Sequence, residues 1–278
     1  MKHEEKYLKY KDHIVFGKQS MPYFDRIPKQ YVENEACFVF VNKGEVSVRS
    51  QIEPIQLDKN HGLLAKCLNY FFETNEQHRK SSEGVEVIAV LLYPSIVQEL
   101  FEFDVSSSDY SFDFNIKQVE LDRLLENFKE SINILLDNPE LADENIIKTK
   151  LKEFVLLVSK SQDAPSQLDF LAALFKPFDI EFKTTIQSNL YSNLSLDELA
   201  ALCHLSTSSF KRKFSETFNN SPKKYIAQKK VERAAALLKS RDLRVSDIAY
   251  DVGFDSLATF NRNFSNRYGK SPSEYRLS

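Results

Sequence analysis

The stretch Asp247–Phe264, DIAYDVGFDSLATFNRNF, decides how the chain is read. Both ends have the composition of helices, yet Gly253 stands between them and Asn261, Arg262 and Asn263 follow. Glycine suits the left-handed backbone that ends a helix, so the stretch reads as two short helices around a tight corner. On the first, Ile248 and Val252 face a small core, and Ala249 is small where helices approach closely. Asp255 is expected to cap the second. Phe260 and Phe264 are four apart and point inward, which turns Asn261, Arg262 and Asn263 outward.

The same plan occurs twice. LDELAALCHLSTSSFKRKFSETFNNSPKKY, 196–225, recurs as VSDIAYDVGFDSLATFNRNFSNRYGKSPSEY, 245–275. The offset is 49 before the corner and 50 after it, so that Ala200 falls on Ala249, Phe210 on Phe260, Arg212 on Arg262 and Phe214 on Phe264. Ser195 and Glu198 form a capping box for the first helix, and Leu199 and Leu202 face its core. His204 takes the place of Gly253, and His is among the residues that tolerate that backbone. Ser206 is the expected cap of the second helix, and Lys211, Arg212 and Lys213 point outward. A helical hairpin with a solvated face explains the Phe spacing, but not an Arg at the same place in both copies. Two helix-turn-helix units, 195–220 and 245–270, explain both. Their second helices fit DNA major grooves, where Arg bonds guanine and Asn bonds adenine bidentately.

Between the copies lies SPKKYIAQKKVERAAALLKS, 221–240. Ser221 is the expected cap and Pro222 fits the first turn. Ala227, Val231, Ala234, Ala235 and Leu238 mark one apolar face. A helix of about 18 residues is roughly 27 Å long, a stiff spacer for two readers about one DNA turn, 34–36 Å, apart. Lys223, Lys224, Lys229, Lys230 and Arg233 are placed to meet phosphates.

Outward from this core the composition changes. Residues 181–278 carry 16 Lys and Arg against 10 Asp and Glu, a net of +6; the rest carries 21 against 30, a net of −9, giving the −3 of the whole. A basic end on an acidic body suits a polyanionic partner. The first hundred residues look mainly β: ACFVFV is an apolar run, NKG a hairpin-type turn, EVSVRS alternates, and VEVIAVLLY ends at Pro94. From Leu121 through Leu124, Leu125, Phe128, Ile132 and Leu135 to Leu136 the apolar residues recur at helical spacing. A second helix is expected over about 142–160, with Ile147, Leu151, Phe154, Val155 and Val158 on one face. LDFLAALF is a third, before Pro177. The expected organisation is α+β, with a domain over 1–176 and an all-α domain over 177–278 made of two helix-turn-helix subdomains on a linker helix. No apolar run spans a bilayer and the N-terminus lacks a secretory core, so a cytoplasmic protein is expected.

At LDELA, S-x-x-x-F-x-R-x-F, SP-x-x-Y, KVERAAALL, IAYDVGF and SPSEYR, over roughly 190–277, the chain resembles the AraC family of bacterial transcription regulators. The resemblance implies sequence-specific binding of asymmetric double-stranded DNA sites and usually activation, with RNA polymerase as a partner. Carried over by position, the base-facing places fall on Ser208, Lys211 and Arg212, and on Leu257, Ala258, Thr259, Asn261 and Arg262. His204 and Arg244 depart from the usual pattern, which has a glycine or small residue and a Ser/Thr cap. Leu257 and Ala258 can touch thymine methyl groups but cannot bond to bases. The N-terminal part is similar to the family's β-barrel-like (cupin-like) effector and dimerisation domains. This implies a homodimer and control by a small molecule or a protein partner.

Other functions were weighed. A metal enzyme in the N-terminal part would need a ligand cluster, but His3, His13, His61, His78 and His204 form no tight motif. His61 is expected in a turn and His78 in a polar loop. Cys37, Cys67 and Cys203 read as buried thiols. No catalytic residue, metal or cofactor is expected. An interaction module is the remaining alternative, its stripe from Leu121 to Leu136 pairing with its twin or packing internally. An effector pocket around Phe38, Phe40, Val48 and Tyr93 competes with plain core packing, so no ligand residue is assigned.

Overall fold

The computed structural model describes residues 3–25, 27–28, 35–51, 54–66, 70–74, 84–102, 108–176, 181–239 and 243–277. Cys67, His78 and Pro177 lie outside them. The chain divides into two units: 1–50 with 54–179, and 51–53 with 180–278.

Unit one holds strands β1 (Glu4–Tyr10), β2 (His13–Met21), β3 (Ile27–Pro28), β4 (Ala36–Lys43), β5 (Val46–Arg49), β6 (Ile55–Leu57), β7 (His61–Ala65), β8 (Phe71–Glu73), β9 (Val85–Leu92) and β10 (Ile116–Glu120). Its helices are α1 (Pro94–Phe101), α2 (Arg123–Asp137), α3 (Glu144–Ser161) and α4 (Gln167–Phe175). An antiparallel six-stranded sheet runs β1-β2-β9-β4-β7-β10, and a four-stranded sheet runs β3-β8-β5-β6.

The expected barrel does not close. β1 and β10 remain the edges of the larger sheet and β3 and β6 those of the smaller. Helices cover one face of the larger sheet instead. Phe38 and Phe40 on β4 meet Phe128 of α2 and Phe154 of α3, with Phe38–Phe154 ring centroids 5.4 Å apart and Phe40–Phe128 6.2 Å. Cys37, Val39 and Val41 are buried on the opposite face, which is why ACFVFV is apolar without alternation. The NKG turn makes no hairpin, because β4 pairs with β7 and β9 while β5 pairs with β6 and β8. It is the corner where the chain passes between sheets, and Gly44 takes φ 77° there. His61 closes a turn from Asp58, its N–H donating to Asp58 O at 3.1 Å, and opens β7, with its Nδ1 2.6 Å from Asp58 Oδ1.

Most of the Leu121–Leu136 stripe is internal core, together with Ile147, Leu151, Phe154, Val155 and Val158. Leu124 departs from it, at 59% exposed. Asp122 and Asp143 cap α2 and α3 by accepting from Leu125 N and Ile146 N. The Lys18 ammonium on β2 donates to Asn133 and Asp137 of α2 at 2.8 and 2.7 Å, fixing the helix on the sheet. The proposed pocket residues Phe38, Phe40 and Val48 are wholly buried.

Unit two is helical: α5 (Phe182–Ser188), α6 (Leu196–Leu202), α7 (Thr207–Phe218), α8 (Pro222–Leu237), α9 (Val245–Asp251), α10 (Leu257–Tyr268) and α11 (Pro272–Leu277). It has two small cores. One gathers Ile186, Leu190, Leu199, Ala200, Phe210 and Phe214, with Tyr225 and Ile226 of α8 against them. The other gathers Val231, Ala234, Ala235 and Leu238 of α8 with Ile248, Ala249, Val252, Phe254, Phe260 and Phe264. Each half therefore packs on a different stretch of the same helix.

Candidate nucleic-acid interface

The corner geometry is the same in both halves. After α6, Leu205 N donates to Ala200 O at 2.9 Å and His204 N to Ala201 O at 3.0 Å. After α9, Phe254 N donates to Ala249 O at 3.0 Å and Gly253 N to Tyr250 O at 2.9 Å. These are the paired bonds of a Schellman helix end. The residue that turns the chain is left-handed in each, His204 at φ 54° and Gly253 at φ 85°.

The second copy then inserts Asp255, and here the cap expected at Asp255 is corrected. Ser256 caps α10 by accepting from Thr259 N at 3.2 Å, as Ser206 caps α7 by accepting from Ser209 N at 3.3 Å. The offset of 50 already pairs Ser206 with Ser256, so the signal was in the repeat. Ser195 and Glu198 form the capping box. Ser221 and Arg244 stand at N-cap positions without a side-chain cap bond. For Ser221 this corrects the expected cap, since its N–H donates to Asn220 Oδ1.

Phe210 and Phe214 anchor α7, and Phe260 and Phe264 anchor α10; all four are wholly buried. Tyr225 seals the first core and Tyr275 the second, each edge-on to its Phe at 5.6 and 5.3 Å. With those faces fixed inward, Ser208, Lys211 and Arg212 are exposed at i, i+3 and i+4 on α7. Ala258, Asn261 and Arg262 are exposed at the equivalent places on α10, with Leu257 and Thr259 exposed beside them at its start. The Thr259 hydroxyl accepts from Ser256 Oγ at 3.0 Å, and Asn263 Nδ2 turns back to the Thr259 carbonyl at 2.7 Å. Asn261 and Arg262 therefore form the polar end of the α10 stripe.

An open groove of about 870 Å³ lies between α8 and α10, and Lys223, Lys224, Arg262 and Arg267 line it. Lys230 also reaches it but does not stand out to meet phosphates as expected. It is 8% exposed, and its ammonium donates to the carbonyls of Ser192 at 2.7 Å and Gly253 at 2.6 Å. Burial pulls its pKa below the ordinary lysine value, partly offset by the Asp255 carboxylate. Sequence reasoning missed this contact, because the segment before α6 and the corner after α9 meet only in three dimensions. Lys229 pairs with Glu232 at 2.9 Å, and the Arg233 guanidinium lies 4.3 Å over the Tyr191 ring. Among the described residues no group of three His, Cys, Asp or Glu could hold a metal ion, and no helix is long and apolar enough to cross a membrane.

Two family models match the chain, a helix-turn-helix domain over residues 199–278 and the ExsA N-terminal regulatory domain over 36–170. The Msm operon regulatory protein of Streptococcus mutans is 32% identical over 124 residues, 44% of this chain and 45% of that protein. The HTH-type transcriptional regulator ExsA of Pseudomonas aeruginosa is 24% identical over 127 residues, 46% of each. The chain spans about half the length of these curated relatives. The crystal structure of ToxT from Vibrio cholerae aligns over 99% of this chain and 97% of its own at 14% identity, with a TM-score of 0.37. With a duplicated helix-turn-helix unit matched by one model and a strand-and-helix unit by another, the chain carries an AraC-type helix-turn-helix domain and an ExsA-type N-terminal regulatory domain, and its relatives are AraC-family transcription regulators.

Proposed function

We propose that the protein recognises an asymmetric double-stranded DNA site by placing α7 and α10 in successive major grooves, and that it activates transcription from there. One observation carries the reading: two helices, each following the same pair of helix-end bonds and a left-handed corner, expose a stripe at equivalent positions, with Arg212 matching Arg262. In this reading Arg212, Lys211 and Ser208 contact bases from α7. Asn261 and Arg262 do so from α10, while Leu257, Ala258 and Thr259 meet the groove wall and thymine methyl groups. Lys223, Lys224 and Arg267 neutralise phosphates along the groove between α8 and α10. Activation is supported by relatives named as activators, such as the virulence regulon transcriptional activator VirF of Yersinia enterocolitica; RNA polymerase is the partner such activation would use. Residues 1–176 then serve dimerisation and control by a small molecule or partner protein, and the protein works in the cytoplasm. Enrichment of duplexes from a random pool by wild type and by Arg212→Ala tests the assignment. The variant is expected to enrich a motif degenerate at one position; recovery of the wild-type motif unchanged removes Arg212 from the base contacts.

A further inference from the structure

Two small cores strung on one helix could turn against each other, and the reading helices with them. The structure contains a clasp at the junction. Tyr225 and Ile226 belong to the first core and Val231 begins the second; Lys230 lies between. Its ammonium bridges two main-chain carbonyls, Ser192 O in the segment leading into α6 and Gly253 O in the corner leading into α10. The corner also rests directly on that segment, since a Cβ at Gly253 would run into the Tyr191 carbonyl. The Arg233 guanidinium of the same helix lies over the Tyr191 ring. Backbone is thus tied to backbone across the two halves, through a buried cation that cannot leave without stranding two acceptors.

From this geometry we infer that Lys230 is a positioning residue that fixes the separation and rotation of the two reading helices, and so sets the spacing of DNA half-sites the protein accepts. The inference rests on the DNA-reading proposed above. One base pair added between half-sites moves the second by about 3.4 Å and turns it by about 34–36°, and a clasped pair of readers cannot follow.

The test uses the full chain and a duplex enriched by wild type from a random pool, remade with one base pair inserted or deleted between its two blocks. Affinities are read by fluorescence anisotropy. Wild type is expected to lose about tenfold or more on either change. Lys230→Met should shrink that ratio about tenfold, the worth of one hydrogen bond from a charged donor, and Lys230→Arg should restore it. A purely structural role would lower affinity for all spacings alike. Ratios for Lys230→Met equal to wild type therefore overturn the inference. If Lys230→Met does not fold, as judged by circular dichroism, Arg233→Ala decides. It removes the exposed stack on Tyr191, and its ratio must shrink in the same direction; an unchanged ratio overturns the inference. Wild type that enriches no duplex overturns the DNA-reading itself.

Discussion

At the scale of single residues, the proposed reading is divided between Arg212 and Arg262. Each stands exposed beside a buried Phe, so truncation removes a contact without disturbing the core. Arg212→Ala and Arg262→Ala should each cost about 1–3 kcal/mol of binding and relax preference at a different position. Competition titrations with single-base variants of one site would show this, and identical losses for all variants would assign the Arg to phosphate instead. Cys203 gives a separate check on the first corner. Burial pushes its thiol from 9.0 up to about 12, leaving about a thousandfold fewer thiolates at neutral pH. Iodoacetamide should modify Cys203 in the native protein far more slowly than after denaturation. Equal rates, read by peptide mass spectrometry, would mean the corner is open.

Elements show what the sequence made visible and what it hid. The two helix pairs and the linker helix of unit two were legible because their determinants are local: a cap, a left-handed corner, and Phe pairs four apart; α5 and α11 were not read. Even there, the cap of α10 was misplaced by one residue because Asp255 and Ser256 are both good caps. The structure separates them by the Ser256 bond to Thr259 N. Ser256→Ala should lower stability by about 1 kcal/mol and Asp255→Ala by less than about 0.5 kcal/mol; equal losses in thermal melts would return the cap to Asp255. The sheets were only half legible, because strand partners are set by distant pairing. Glu4–Tyr10 is charged along its length and, among the described residues, pairs only with β2. The turn at Gly44 reads as a hairpin, yet it sends β4 and β5 into different sheets. Leu124 shares the heptad-like spacing of its neighbours but faces outward, since periodicity gives the breadth of a stripe poorly. The proposed base-facing residues came from the family resemblance, carried over by position, whereas the Lys230 contacts join segments far apart in the chain and show only in the fold.

For the whole molecule, charge separates a basic C-terminal third from an acidic remainder, and salt should govern the affinity of the proposed DNA binding. Six to ten phosphate contacts imply a loss of about 10³–10⁵ between 50 and 200 mM salt. A flat salt response would exclude a phosphate-tracking mode. Self-association, expected from the family resemblance, cannot use Leu125, which is wholly buried within unit one; Leu124 and Ile134 are the exposed apolar positions of α2. Light scattering should show a dimer that Leu124→Asp weakens, and a wild-type monomer at micromolar concentration would remove dimerisation through this helix. The most direct measurement is sequencing of the duplexes that the full chain enriches from a random pool. Two short, unlike blocks about one helical turn apart are predicted, the second favouring thymine where Ala258 faces the groove. A single block, or no enrichment over scrambled competitor, would contradict two helices reading one site.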